Sequence, residues 1–386
     1  MNFRLFRRGL YAGLLLASVA AVIAGCGSSN GGSGSTSSST APQTITLYAS
    51  GDVNVQNLWQ NTLIPQFEKA YPNLKVHLVF AEHGTTDAAT LARLTAAVQA
   101  KQSPGMDLID ASMVTQAAAA NLLQPLTASE IPQIGHVDPN LLKSVNNEAI
   151  PYRASSVVLG YNSDKVANPP TTLDSLIAWI KANPGKFTYN QPATGGSGQA
   201  FVEAILNTYV NTSDLNTFET GYNASMESQW SKGFQELKSL GPSMYNHGFY
   251  PNGNAAVLQL LGNGSIEMAP VWSDMSLSYM AQNLLPSSTK LVQLSPPFNG
   301  GPAYMGIPKN APHAKAAETL LNWLLNSNVQ ASIVAKMNGF PGVQWSYLPA
   351  SVQQQFAPIA KSYGTFYSSK FTADMNKQWQ SQVAGG

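Results

Sequence analysis

The sequence predicts an α/β protein of mostly parallel sheets flanked by helices. Three observations predict it. From Thr44 onward, short apolar runs of strand length alternate with segments of helical period, the pattern of repeated βα units. A second set of such units begins near Pro151. The chain, at 386 residues, is long enough to bury two cores.

The first set opens with ITLYAS (45–50), a short apolar strand. VQNLWQNTLIPQFEKAY follows at helical spacing, and Pro65 is expected to kink or interrupt it. KVHLVFA (75–81) is a second strand, and TDAATLARLTAAVQAKQ is a helix capped by Thr86. MDLIDAS is a buried third strand, and TQAAAANLLQPL is a helix expected to end at Pro125. In the second set, SSVVLGYN and KFTYN read as strands, separated by a helix capped at Thr171 or Thr172. NAAVLQLLGNGSIEMAPVWSDMSL reads as helix, turn, strand and helix start. A short strand from Ala303 and one long helix follow, and the C-terminal remainder is helical.

The N-terminus carries an address. MNFRLFRRGLYAGLLLASVAAVIAGC has a basic start, an apolar stretch and small residues at its end, the anatomy of a secretory signal. IAGC resembles the bacterial lipobox, in which the cysteine takes the lipid, and Cys26 is the only cysteine in the chain. The Gly/Ser-rich residues 27–43 compose a flexible linker. Residues 1–25 are therefore read as a lipoprotein signal peptide, and 26–43 as lipidated cysteine and linker. No later apolar run is long enough to span a bilayer. The charge is +1 with only 11% charged residues, so no nucleic-acid footprint is present. The five histidines form no cluster in the sequence. No metal or cofactor is expected.

Several phrases in their order resemble one family: LWQNTLIPQFEKAYPNLKV, LGYNSDKVANPPTTLDSLIAWIKANPGKFTYNQP, LLGNGSIEMAPVW and MGIPKNAPHAKAAETLLNWLLNSNVQA. They look like a bacterial extracellular solute-binding protein of an ABC importer, of the family 1 type. The similarity is strongest to the branch with iron, thiamine and polyamine binders. It implies a two-lobed periplasmic-binding-protein fold of type II-like form, with a ligand cleft between lobes. Carried onto this chain, residues 44–152 and 301–341 make lobe 1 and 153–300 make lobe 2. Residues 342–386 are C-terminal helices on the hinge or lobe 2. The resemblance also implies a permease with a cytoplasmic ATPase as partner, and a monomer held by lipid. The location is the outer face of the cytoplasmic membrane or the periplasm.

Ligands of open α/β sheets bind beyond the carboxyl ends of strands, at helix N-termini. That rule selects the candidates. After the first strand stand Ser50, Gly51 and Asp52, although Asp52 also reads as a helix cap. After the second stands His83, which reads more simply as a solvated loop residue. After the third stands Ser112, beside Asp110, a buried structural carboxylate. ATGGSGQ (193–199) offers Thr194, Gly196 and Ser197 at a helix start, although a plain glycine turn is also open. It lacks the lysine of a P-loop, the closing glycine of a nucleophile elbow and the last glycine of a dinucleotide turn. PVWSDMS offers Trp272 for stacking and Asp274 as a carboxylate, and Tyr304 lies on the return segment. Trp272 also reads as core between the lobes. SSTK (287–290) fits S-x-x-K without its companion motifs.

Two ligand classes remain open from sequence. A small organic cation would use Trp272, Asp52 and Asp274. An anion or sugar-like solute would use Ser50, Ser112, Thr194 and Ser197. Two other functions compete: a surface-anchored serine hydrolase using Ser197, and a sensor or adhesin derived from a binding protein.

Overall fold

The computed structural model describes residues 42–82, 84–356 and 363–385. The expected signal peptide, Cys26, nearly all of the linker, and His83 lie outside the described residues.

Nine strands organise the described residues: β1 (Gln43–Gly51), β2 (Leu74–Glu82), β3 (Leu108–Asp110), β4 (Ile150–Asn162), β5 (Met268–Trp272), β6 (Thr289–Val292), β7 (Asn299–Gly306), β8 (Phe340–Pro341) and β9 (Gly364–Thr365). Their order is β2-β1-β3-β7-β4-β5, with β6 and β8 pairing β4 and β9 pairing β7. β1 is apolar along most of its length because it is central and covered on both faces, as parallel strands are. β2 lies at the sheet edge, and His77 and Val79 on it are exposed while Ala81 is buried.

β4 is the pivot of the architecture. Ile150–Ser156 pairs antiparallel with β7, and Val157–Asn162 pairs antiparallel with β5 or β6. One strand thus leaves the first sheet and becomes the centre of the second. This is the crossover between two lobes, each a sheet flanked by helices. The expected parallel arrangement holds for β2-β1-β3 and for the short β7-β9 pair. In the second half both ladders that β4 makes, with β5 and with β6, are antiparallel. The physical reason is that KFTYN does not form a strand. It contributes one parallel bridge, Phe187 to Met268, and so supplies no parallel neighbour for β5.

Two large cores sit on the two halves. One gathers Ile45, Leu47, Trp59, Phe67 and Tyr152 with Met305, Leu320, Ile333 and Leu348. The other gathers Val157, Leu159, Phe201, Phe234 and Met268 with Phe371, Met375 and Trp379. The last helix, Ser369–Trp379, therefore packs on the second half, and the segment through Leu348 packs on the first.

Local differences from expectation have local causes. Pro65 does not stop its helix. A π-helical turn, Trp59–Leu63, precedes it and re-routes the carbonyls that the ring would strike. The helix Val114–Ala119 ends well before Pro125, because Asn121 adopts φ 55 and turns the chain. The single long helix expected after Ala314 is two, Ala314–Leu324 and Ser327–Met337. Asn326 separates them, its side chain accepting from the Asn328 amide as a cap. Thr171 does not cap the helix Leu173–Ala182. Thr172 does, in a reciprocal box with Ser175.

Candidate ligand cleft

A cavity of about 490 Å³ opens where the carboxyl ends of β1, β3 and β5 meet the crossover strands. Of the ten residues expected to touch ligand, Ser50, Gly51, Asp52, Ser112, Thr194, Gly196, Trp272, Asp274 and Tyr304 line it. Ser197 does not.

On the first half, the organising residue is Asp87, which sequence reasoning missed. It opens the helix Asp87–Gln99, one place after the expected cap. Thr86 makes no side-chain cap, and its hydroxyl lies 3.0 Å from the Tyr48 hydroxyl. Asp87 accepts from Tyr48 at 2.8 Å, Ser50 at 3.0 Å and Ser112 at 2.9 Å. The Ser50 and Ser112 protons thus both point at a carboxylate and are spent within the wall. A hydroxyl has one proton to donate. The signal available in the sequence was an acidic residue in the first helical turn after a strand-end loop.

Deeper in the wall, Asp110 accepts from Trp59 Nε1 at 2.7 Å and Tyr152 at 2.6 Å. Burial lifts it above the usual aspartate range, outweighing Arg153 and these two hydrogen bonds. Arg153 comes from β4, and its Nε donates to the Tyr152 hydroxyl at 2.9 Å. Burial disfavours its charge, but Tyr152, Asp110 and Asp274 more than offset that and raise its pKa. Asp274 accepts from Ser155 at 2.6 Å and lies 4.0 Å from the Arg153 guanidinium. Burial raises its pKa too, against the pull of Arg153 and Ser155.

The glycine-rich turn is built around two asparagines. The helix Gly196–Asn207 begins with two of its amides already occupied: Gly198 N donates to Asn190 Oδ1 at 2.8 Å, and Ser197 N to Asn254 Oδ1 at 3.3 Å. The anion cradle that a bare helix start would offer is therefore partly filled from within. The Ser197 hydroxyl is fully buried, 2.7 Å from Asn190 Oδ1 and 2.9 Å from Asn254 Oδ1. This corrects the expectation for Ser197. It pins the turn, does not face the cavity, and its partners are amides rather than a general base, so the geometry of a nucleophile is missing. Thr194 donates to the Gln191 carbonyl and accepts from Gly253 N, each at 2.9 Å.

Glycine is needed twice here. A Cβ on Gly198 would sit 1.9 Å from the Asn190 carbonyl oxygen. A Cβ on Gly196 would sit 2.6 Å from Trp272 Cζ2, so the bare glycine lets the indole lie on the turn. Trp272 also meets Phe366, with ring centroids 6.1 Å apart. Tyr304 donates to the Leu141 carbonyl at 3.1 Å, which anchors its ring in the wall.

Hydrogen bonds join the halves across the cleft: Asn54 Nδ2 donates to Asp274 at 3.2 Å, and Asn254 Nδ2 to Asp52 at 3.2 Å. Asp52 stands at the N-cap of the helix Val53–Leu58 but makes no side-chain cap there. Asn54, Arg153, Gln199 and Asn254 line the cavity and were not foreseen. In SSTK, Lys290 donates to the Ser287 carbonyl at 3.2 Å on the exposed surface. Among the described residues, no group of three or more His, Cys, Asp or Glu could hold a metal ion.

Comparison with known proteins bears on the fold and the site together. A family profile described as bacterial extracellular solute-binding protein matches residues 62–358. Protein YnjB of Escherichia coli (strain K12) is 27% identical over 220 residues, 55% of this chain and 56% of that protein. The putrescine-binding periplasmic protein PotF of the same organism is 27% identical over 254 residues, 60% of this chain and 63% of that protein. The chain thus matches little more than half the length of these relatives. The solved spermidine/putrescine ABC transporter substrate-binding protein PotD of Streptococcus pneumoniae superposes with a TM-score of 0.63 at 16% identity. That match covers 88% of this chain and 98% of the other.

Proposed function

The chain belongs to the bacterial extracellular solute-binding protein family, and from that premise we propose that it captures a small organic cation in the cleft for an ABC permease. The permease is driven by a cytoplasmic ATPase. The binding protein works as a monomer, tethered through a lipid on Cys26 at the outer face of the cytoplasmic membrane. Residues 44–152 and 301–341 form the lobe that carries Asp52, and 153–300 the lobe that carries Asp274. Hinge closure between them traps the solute.

One observation carries the choice of cation. Four carboxylates, Asp52, Asp87, Asp110 and Asp274, line the cavity against one guanidinium, Arg153. The donors that the sequence offered to an anion or sugar are engaged elsewhere. Ser50 and Ser112 donate to Asp87, Thr194 donates to a carbonyl, and the turn amides of Ser197 and Gly198 donate to Asn254 and Asn190. Trp272 supplies a ring face of the kind that attracts an ammonium. Asp52 and Asp274 supply carboxylates from opposite halves, and Ser50, Gly51, Ser112, Thr194, Gly196 and Tyr304 shape the wall. PotF, a relative that binds putrescine by name, is consistent with this class.

The test is a thermal-shift panel of alkyl amines, dicarboxylates and sugars. A ligand at 100 times its dissociation constant adds about 2.7 kcal/mol of stability. Amines should raise the melting transition and the other two classes should leave it unmoved. A dicarboxylate or sugar that raises it while amines do not would sink the cation reading. The anchor has its own test: radiolabelled fatty acid should enter the wild-type chain and not Cys26→Ser.

A further inference from the structure

The helix that starts at the glycine-rich turn carries a fully buried carboxylate, Glu203, one turn below the cleft-lining Gln199. Gln199 Nε2 donates to Glu203 Oε1 at 2.7 Å and also lies 3.2 Å from the Thr372 hydroxyl, another cleft-lining group. On its other side, Glu203 Oε2 accepts from Asn299 Nδ2 at 2.6 Å and from the Tyr367 amide at 3.2 Å. Asn299 is the first residue of β7, next to the place where β4 passes from one sheet to the other. One carboxylate therefore joins the cleft wall, the start of β7 and the segment that leads into the helix Ser369–Trp379. No Lys, Arg or His forms an ion pair with it among the described residues. The titratable groups facing it are Glu219 and Tyr367, and neither brings positive charge.

We propose that Glu203 is a proton-linked positioning residue, whose charge state sets which end of the Gln199 amide faces away from it at the cleft. All three groups around ionised Glu203 are N–H donors, which suits a carboxylate with no proton of its own. A protonated Glu203 carries an O–H that needs an acceptor. The backbone amide of Tyr367 cannot supply one. Of the two side-chain amides, the cleft-lining Gln199 can, by turning so that Oε1 meets the acid, with the Thr372 hydroxyl, which now accepts from Gln199 and donates to the Tyr367 carbonyl at 3.1 Å, turning its proton to Gln199 instead. Proton uptake at a site hidden from solvent thus exchanges a donor for an acceptor on Gln199. Burial, the largest influence, pushes the carboxyl up to about 8 despite its three donors, which puts the exchange in an accessible range.

The inference rests on the cleft as the ligand site, but its test needs no ligand, so the two can fail separately. The full chain, labelled with ¹³C at glutamate side chains and ¹⁵N at glutamine side chains, is titrated between about pH 5 and pH 10. The Glu203 carboxyl and the Gln199 side-chain amide should move with one common midpoint near 8. Glu203→Gln should abolish the movement of Gln199. Gln199→Met, which removes one donor from the carboxylate, should shift the Glu203 midpoint upward. If Glu203→Gln does not fold, the wild-type and Gln199→Met titrations still decide. A Gln199 amide that stays flat while Glu203 titrates overturns the proposal. So does a Glu203 midpoint that Gln199→Met leaves in place.

Discussion

Glu203 also makes a quantitative prediction about folding. In the unfolded chain its carboxyl should release its proton at the ordinary glutamate value of 4.5, and in the folded chain only at about 8. Between those values the folded state binds the extra proton. Stability contributed by this residue is therefore complete below pH 4.5, falls as pH rises, and is lost above about 8. At about 1.4 kcal/mol per pH unit, the whole gap is worth roughly 5 kcal/mol. That is a large fraction of the 5–15 kcal/mol that typically separates folded from unfolded domains, roughly speaking. Other carboxylates titrate as well, and Glu68 and Asp374 act in the opposite direction because hydrogen bonds and lysines lower them. The clean quantity is a difference. Urea denaturation of wild type and Glu203→Gln should be followed in parallel across the pH range. The stability of wild type relative to the variant should fall by several kcal/mol from acid to alkaline conditions, with its midpoint inside the 4.5-to-8 window. A difference that stays flat would refute the reasoning. It would mean that the site is hydrated or that the carboxylate has a cationic partner.

Three further substitutions read other parts of the account. Gly198→Ala places a methyl 1.9 Å from the Asn190 carbonyl, so loss of a few kcal/mol or failure to fold is expected in chemical denaturation. Ser197→Ala removes a hydroxyl held between two amides. It should cost about 1–2 kcal/mol and leave solute affinity changed much less than Trp272→Leu does. Thr172→Ala breaks a capping box at an exposed helix start and should cost about 1 kcal/mol with no effect on binding.

Much of the scaffold was legible because it rests on local pattern. The apolar run of β1, the strand at Met268–Trp272 and the cap at Thr172 are written within a few residues each. The rule that ligands sit beyond strand ends found Asp52, Ser112 and Asp274, but about a third of the cavity wall in all. The chemistry of those residues was not legible, because it depends on partners far along the chain. Asp87 takes the protons of Ser50 and Ser112, 37 and 25 positions away, and thereby removes two donors that had made an anion plausible. Asn54 meets Asp274 across 220 positions. Ser197 is the clearest case. A serine between glycines before a helix has the local grammar of an exposed site. Asn190 was present in the same stretch, but nothing local says that its side chain turns back to cap the helix and bury that serine. KFTYN failed for the opposite reason: it has strand composition but finds only one bridge.

The central claim is that a small organic cation is held between the two halves by Asp52, Asp274 and Trp272. The measurement that tests it most directly is calorimetric titration of putrescine into the wild-type chain, Asp52→Asn and Trp272→Leu. One site per wild-type chain is expected, with affinity weakened about tenfold or more by either substitution, a loss of about 1.4 kcal/mol or greater. Binding that both substitutions leave unchanged, or a wild-type chain that binds no amine while it binds an anion, would contradict it.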